Sequence, residues 1–143
     1  MKYVLVDMDG TIAEFYDKRG ISIPDFPTGF FINKRPINIM IDAIKELYKN
    51  DKIIIMSNSP SEDADNEKAD WLVKQGLYWD HIFVRYQFMD KGQAISNFIK
   101  LTNINPTDVI LIDDDLRNLR NCEKLGVVCI HPSHILAEYQ ALQ

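Results

Sequence analysis

Three continuous apolar runs, at residues 2–6, 53–56 and 109–112, each break off into polar side chains. The first ends in Asp7-Met8-Asp9-Gly10-Thr11, the second in Ser57-Asn58-Ser59-Pro60 and the third in Asp113-Asp114-Asp115. Runs this short, rich in β-branched residues and without alternation, predict strands covered on both faces. Residues 81–86 predict a further strand, more mixed in composition and so nearer an edge, and residues 127–130 predict a fifth. The intervening segments carry apolar residues at helical spacing. Met40, Ile44, Leu47 and Tyr48 mark residues 37–49 as one such helix. Ser61 is placed to cap the next, whose first turn holds Glu62, Asp63 and Asp65 at the positive end of the helix dipole; Trp71, Leu72 and Leu77 give it a buried side and Gly76 its stop. Lys91-Gly92 opens a third, with Ala94, Ile95, Phe98 and Ile99 inward. After an Asn105-Pro106-Thr107 turn and the 109–112 strand, a fourth carries Leu116, Leu119, Cys122 and Leu125 and closes at Gly126. A last helix, capped by Ser133, holds Ile135, Leu136 and Tyr139.

Alternating strands and helices predict an α/β fold: a Rossmann-like, doubly wound, parallel five-stranded sheet joined by right-handed crossovers, with helices on both faces. One stretch, residues 12–36, fits neither period and contains Gly20, Pro24, Pro27, Gly29 and Pro36, which predicts an irregular excursion from the sheet. It also carries Phe15, Tyr16, Phe26, Phe30 and Phe31. Two readings stay open, a flap packing its own rings and a flap closing over a substrate.

The 143 residues suffice for one domain with a full hydrophobic core, and the net charge of -5 argues against broad, nonspecific coating of nucleic acid. A single phosphate in a pocket is compatible with it, because a bound metal supplies local positive charge. Cys122 and Cys129 match neither zinc nor redox spacing and read as reduced core thiols. The absence of a signal-peptide pattern and of a membrane-length apolar run predicts a cytoplasmic protein.

In a doubly wound sheet the ligand site lies outside the carboxyl ends of the strands. Asp7, Asp9, Ser57 and the Asp113/Asp114 pair all follow apolar runs directly, so they are expected to converge in one crevice. Carboxylates one residue apart repel each other and desolvate poorly, which calls for a cation or a reacting group. An Asp-Gly pair is also an ordinary turn. With no His or Cys suited to zinc, the oxygen donors favour Mg²⁺, which leaves coordination positions for a phosphate monoester. Asp115 is read as a helix cap, leaving Asp113 and Asp114 for the site. Ser57 has a turn or cap role as its alternative, and Lys91, placed as a phosphate ligand, has that of a solvated lysine.

These residues, in this order, resemble the four motifs of the haloacid dehalogenase superfamily of phosphohydrolases. The resemblance implies Asp7 as the nucleophile that forms an aspartyl-phosphate and Asp9 as the general acid and base. It implies Mg²⁺ on the Asp7 carboxylate, the Asp9 backbone carbonyl and the Asp114 carboxylate, with Asp113 in support. Phosphate contacts fall to Ser57, Asn58 and Lys91, and Gly10 and Thr11 complete the loop. Val4 to Gly10 with Ala13 and Phe15, then Gly29-Phe30-Phe31, Pro36, Ser59-Pro60, Glu67-Lys68 with Trp71, and Asp90-Lys91 further resemble the 5′(3′)-deoxyribonucleotidases. That likeness implies a nucleotide as substrate, with Phe15 and Phe30 or Phe31 stacking on the base. This chain departs from the family in having only the short 12–36 stretch where a longer helical cap belongs. In that it is also similar to the phosphatase half of polynucleotide kinase-phosphatases, which implies a nucleic-acid end as the alternative substrate. Lys18, Arg19, Lys34 and Arg35 would then track the phosphodiester backbone, or else be solvated. A phosphate-binding module without turnover is the third reading; the intact Asp7 and Asp9 oppose it.

Overall fold

All five predicted strands join one parallel sheet, ordered β3-β2-β1-β4-β5. The computed structural model describes residues 1–15 and 26–143. Its elements are β1 (Tyr3–Val6), α1 (Asn38–Leu47), β2 (Lys52–Ser59), α2 (Glu62–Lys74), β3 (Asp80–Arg85), α3 (Lys91–Thr102), β4 (Val109–Ile112), α4 (Leu116–Glu123), β5 (Val128–Ile130) and α5 (Pro132–Ala141), with one 3₁₀ turn at Pro106–Asp108. β1 is central, with Val6 level with Ile55 of β2 on one side and Ile112 of β4 on the other. The strand order reverses direction beside β1, so β1 and β4 flank the switch point where such sheets bind ligands.

Period-two alternation divides the core. Val4 and Val6 pack with Met40 and Ile44 of α1, Trp71 and Leu72 of α2 and Ile135 of α5. Leu5, between them, faces the opposite way, toward Ala94 and Ile95 of α3 and Leu119 and Cys122 of α4. No helix among the described residues is long and apolar enough to cross a membrane.

The expected stops hold at several points. Ser61 accepts from the Ala64 N–H at 3.2 Å, Asp115 accepts from the Arg117 N–H at 2.8 Å, and Gly76 and Gly126 take positive φ just past α2 and α4. Three local expectations need correction. β2 does not end at Met56: it continues through Ser57, Asn58 and Ser59 because β3 supplies ladder partners in Phe83, Val84 and Arg85. The cap of α5 is His131, whose Nδ1 accepts from the Ser133 N–H at 3.2 Å. Pro132, lacking an N–H, suits the first helical position and moves the cap back from Ser133. Leu116 is 60% exposed, because it sits in the first turn of α4, ahead of the residues that pack on the sheet.

The excursion after β1 returns beside itself. Ala13 bridges Pro36 in antiparallel fashion, the Glu14 N–H donates to the Arg35 carbonyl at 2.8 Å, and the Ile37 N–H donates to the Ile12 carbonyl at 2.7 Å. Tyr16, Lys18, Arg19, Gly20 and Pro24, assigned above to the flap, lie outside the described residues.

Candidate active site

The Asp7 N–H donates to the Ile112 carbonyl at 2.9 Å, so the backbone leaves β1 still tied to β4. The chain then coils: the Met8 carbonyl accepts from the N–H groups of Thr11, Ile12 and Ala13 at 3.2, 3.0 and 3.0 Å. Gly10 is required twice here. Its φ is +87°, and a Cβ on it would collide with the Asp114 carboxylate. Its N–H donates to the Ala13 carbonyl at 2.7 Å, so what Gly10 gives the site is room for Asp114.

Asp7, Asp113 and Asp114 bring carboxylate oxygens within 4.8 Å of one another. Lys91, the first residue of α3, lies almost wholly buried behind them, with Nζ 2.9 Å from Asp7 Oδ1 and 2.7 Å from Asp113 Oδ2. Asp113 is engaged through both oxygens: Oδ1 accepts from the Asp115 N–H at 2.8 Å, and Oδ2 also accepts from Asn118 Nδ2 at 3.1 Å. Thr11 Oγ1 lies 3.4 Å from both Asp7 Oδ2 and Asp114 Oδ1. Burial pushes the Asp7 carboxyl up to about 6; Lys91 opposes the shift and Asp114 adds to it. Burial and the nearby Asp7 charge also raise Asp113. Lys91 is disfavoured as a cation by burial, yet Asp7 and Asp113 outweigh this and raise it above the ordinary lysine value.

Lys91 thus neutralises the Asp7–Asp113 side of the cluster, while Asp7 Oδ2 and Asp114 Oδ1 face the Thr11 hydroxyl, away from the lysine. An all-oxygen donor set in which neighbouring carboxylates raise one another's proton affinity fits a hard divalent cation such as Mg²⁺.

A second buried lysine was not anticipated as a site residue. Lys68 of α2 places Nζ 2.6 Å from Asp9 Oδ2, 2.8 Å from Ser57 Oγ and 2.8 Å from the Asn58 carbonyl. Its neighbour Glu67 accepts from the N–H groups of Gly29, Phe31 and Ile32 at 3.2, 3.1 and 3.2 Å, seating the returning arm of the excursion. Two buried side-chain oxygens, Asp9 Oδ1 and Asn58 Oδ1, have no hydrogen-bond partner among the described residues.

Above these groups is a cavity of about 580 Å³ whose lining includes Asp7, Asp9, Ser57, Asn58, Asp113 and Asp114. That size suits a small organic ligand. Phe15, Phe26, Phe31 and Tyr86 form its apolar wall. Of the rings expected to face substrate, Phe15 and Phe31 line it. Phe30 packs beside it at 5.8 Å from Phe15 and 5.0 Å from Phe31, and Lys34 Nζ lies 3.9 and 4.1 Å from the Phe15 and Phe30 centroids. Thr11 and Lys91 sit behind the carboxylates, outside the lining. Phe26, Tyr86 and Arg117 were not foreseen as lining residues. Lys68, by contrast, had a sequence signal: Ala64, Lys68, Trp71 and Leu72 form one buried stripe on α2, and a lysine on such a stripe must find acceptors.

The family model described as NLI interacting factor-like phosphatase matches residues 2–132. No curated protein matches the chain. Several solved structures share its fold. One is a haloacid dehalogenase family enzyme, bt-2542, from Bacteroides thetaiotaomicron in complex with magnesium and inorganic phosphate, with TM-score 0.64, 13% identity, and coverage of 92% of this chain and 93% of that one. A second is the haloacid dehalogenase-like hydrolase SP0104 from Streptococcus pneumoniae, with TM-score 0.64, 11% identity, and coverage of 98% and 91%. A third is a chain of the Pnkp1/Rnl/Hen1 RNA repair complex, with TM-score 0.62, 16% identity, and coverage of 91% of this chain but 42% of that one.

Proposed function

The chain belongs to the NLI interacting factor-like phosphatase family, and we propose that it is a Mg²⁺-dependent phosphomonoesterase that removes phosphate from nucleotides through an aspartyl-phosphate on Asp7. The observation that carries this reading is the gathering of Asp7, Asp113 and Asp114 within 4.8 Å at the base of a cavity that Asp9 also lines.

The Asp7 carboxylate attacks phosphorus, and the leaving oxygen takes a proton from Asp9. Asp9, now a carboxylate, accepts a proton from the water that hydrolyses the aspartyl-phosphate, releasing phosphate and restoring Asp7. Asp9 lines the cavity with Oδ2 held by Lys68, while Oδ1 is buried with no hydrogen-bond partner among the described residues. Asp7, Asp114 and the Asp9 carbonyl would hold Mg²⁺, which on binding offsets the charge of the phosphate oxygens. Asp113 supports them by fixing Lys91 and the Asp115 N–H. Ser57 and Asn58, in the cavity wall, take the phosphate oxygens, and Lys91 acts from behind Asp7 by compensating the negative charge gathered there. Gly10 and Thr11 shape the loop. The Phe15, Phe26, Phe31 and Tyr86 wall offers rings to a nucleobase.

Phosphate release is to be measured from 5′- and 3′-mononucleotides and from glycerol phosphate, with Mg²⁺ or with chelator. Nucleotides are expected to be turned over with Mg²⁺ only and at higher kcat/KM than glycerol phosphate. Lack of release from any nucleotide rejects the substrate class.

A specific observation favours a second reading, a nucleic-acid end as substrate. Arg117 lines both the site cavity and an adjoining groove along α4, where Arg120, Asn121 and Lys124 follow together with Glu123. Cations beside the exit suit a phosphodiester chain leading away. Short oligonucleotides with terminal phosphates that outperform mononucleotides, and lose their advantage in salt, would establish this reading over the first.

A further inference from the structure

We infer that Lys68 is the positioning residue of the leaving-group step, fixing the Asp9 carboxylate through one of its oxygens; the inference rests on the phosphatase reading above. Lys68 is fully buried, and its three contacts with Asp9, Ser57 and the Asn58 carbonyl match the three protons of an ammonium group. It does not line the cavity, so it acts through other groups and not on substrate.

The fold alone gives no reason for a lysine here. Position 68 belongs to the apolar stripe of α2 with Ala64, Trp71 and Leu72, where an apolar side chain of similar volume would pack without desolvating a charge. What the lysine adds is a fixed carboxylate. Oδ2 is bound at 2.6 Å, which fixes the orientation of a side chain that lines the cavity, and Oδ1 is buried with no hydrogen-bond partner among the described residues. The same ammonium reaches Ser57, so the acid and a phosphate contact are set from one point. The Phe31 ring, centred 4.7 Å from Nζ, covers that point and helps to exclude water.

A group that orients the general acid matters in proportion to how badly the leaving oxygen needs a proton. The test is therefore kcat/KM of wild type and Lys68→Met on two substrates, p-nitrophenyl phosphate, whose leaving group departs readily as an anion, and a nucleoside 5′-monophosphate, whose alkoxide does not. The variant is expected to lose about 100-fold or more on the alkyl phosphate, within the range for general acid catalysis, and less than about 10-fold on the aryl phosphate. Equal losses on the two would overturn the inference and leave Lys68 a structural tether. Should Lys68→Met not fold, Asp9→Asn is compared with Asp9→Asn/Lys68→Met, in which both charges are removed. A residue acting through Asp9 adds less than about tenfold further loss, through its contact with Ser57 and equal on the two substrates, whereas a further loss larger on the alkyl phosphate overturns the role. Wild-type protein inert toward both substrates with Mg²⁺ would instead remove the phosphatase reading, and the inference with it.

Discussion

The site has two buried lysines, and they are built differently. Lys91 lies between two carboxylates, Asp7 and Asp113, that burial pushes toward protonation, and the three form a charge network behind the cavity. Lys68 meets one carboxylate and two neutral acceptors, and Oδ1 of that carboxylate has no hydrogen-bond partner among the described residues. The difference separates tasks. The Lys91 side holds two carboxylates together, and the Lys68 side ties a single carboxylate to Ser57 and the Asn58 carbonyl.

The largest expected effect bears on the Lys91 side. Asp7→Asn should lower kcat/KM by at least about 10⁴-fold, as the loss of a covalent nucleophile does elsewhere, measured by phosphate release on folded protein; normal turnover would dismantle the assignment. Lys91→Met comes next. It leaves Asp7 and Asp113 buried without their cation, a loss of about 3–5 kcal/mol of stability by chemical denaturation. Lys68→Met should cost less, because it strands a single carboxylate, and an equal cost would erase the contrast between the two sides.

The same contrast has a pH signature. The folded-state value of Asp7, about 6 against an ordinary 3.8, is raised, so burying this acid favours folding least when it is charged. Its contribution to stability therefore falls as pH rises from about 4 to about 6, by on the order of 3 kcal/mol. With chelator present, Asp7→Asn should be the more stable protein at pH 7, and its advantage over wild type should shrink toward pH 4. A difference that does not vary with pH would show that Asp7 is not held in this way. The smallest effect belongs to the aromatic wall. Phe31→Ala should raise KM for a mononucleotide by about tenfold, within the 1–3 kcal/mol range of base stacking, and change glycerol phosphate little. Equal changes for both would assign the ring to packing.

Much of this arrangement was legible in the chain because strand ends are written in sharp transitions. Val6 to Asp7, Met56 to Ser57 and Ile112 to Asp113 each mark where an apolar run meets the ligand edge of the sheet. Even there β2 ran on past Met56, since pairing with β3 holds polar residues in a ladder as well as apolar ones. Lys68 was quoted only as part of a resemblance, with no role, although its place among Ala64, Trp71 and Leu72 set it on a buried face. Glu67 gave less warning. An acid on a helix turn looks solvated, and only the returning arm, with its donors at Gly29, Phe31 and Ile32, reveals its use. Phe26 and Tyr86 line the cavity through backbone paths that spacing along the chain does not encode.

The antiparallel bridge of Ala13 with Pro36 closes the excursion at its neck, a few residues from Asp9. Above this neck the arm is not independent of what lies below: Glu67 grips it through three backbone N–H groups, and its Phe31 ring rests over Lys68. A graft in place of the excursion therefore has to keep those two anchors if the carboxylates are to keep their surroundings.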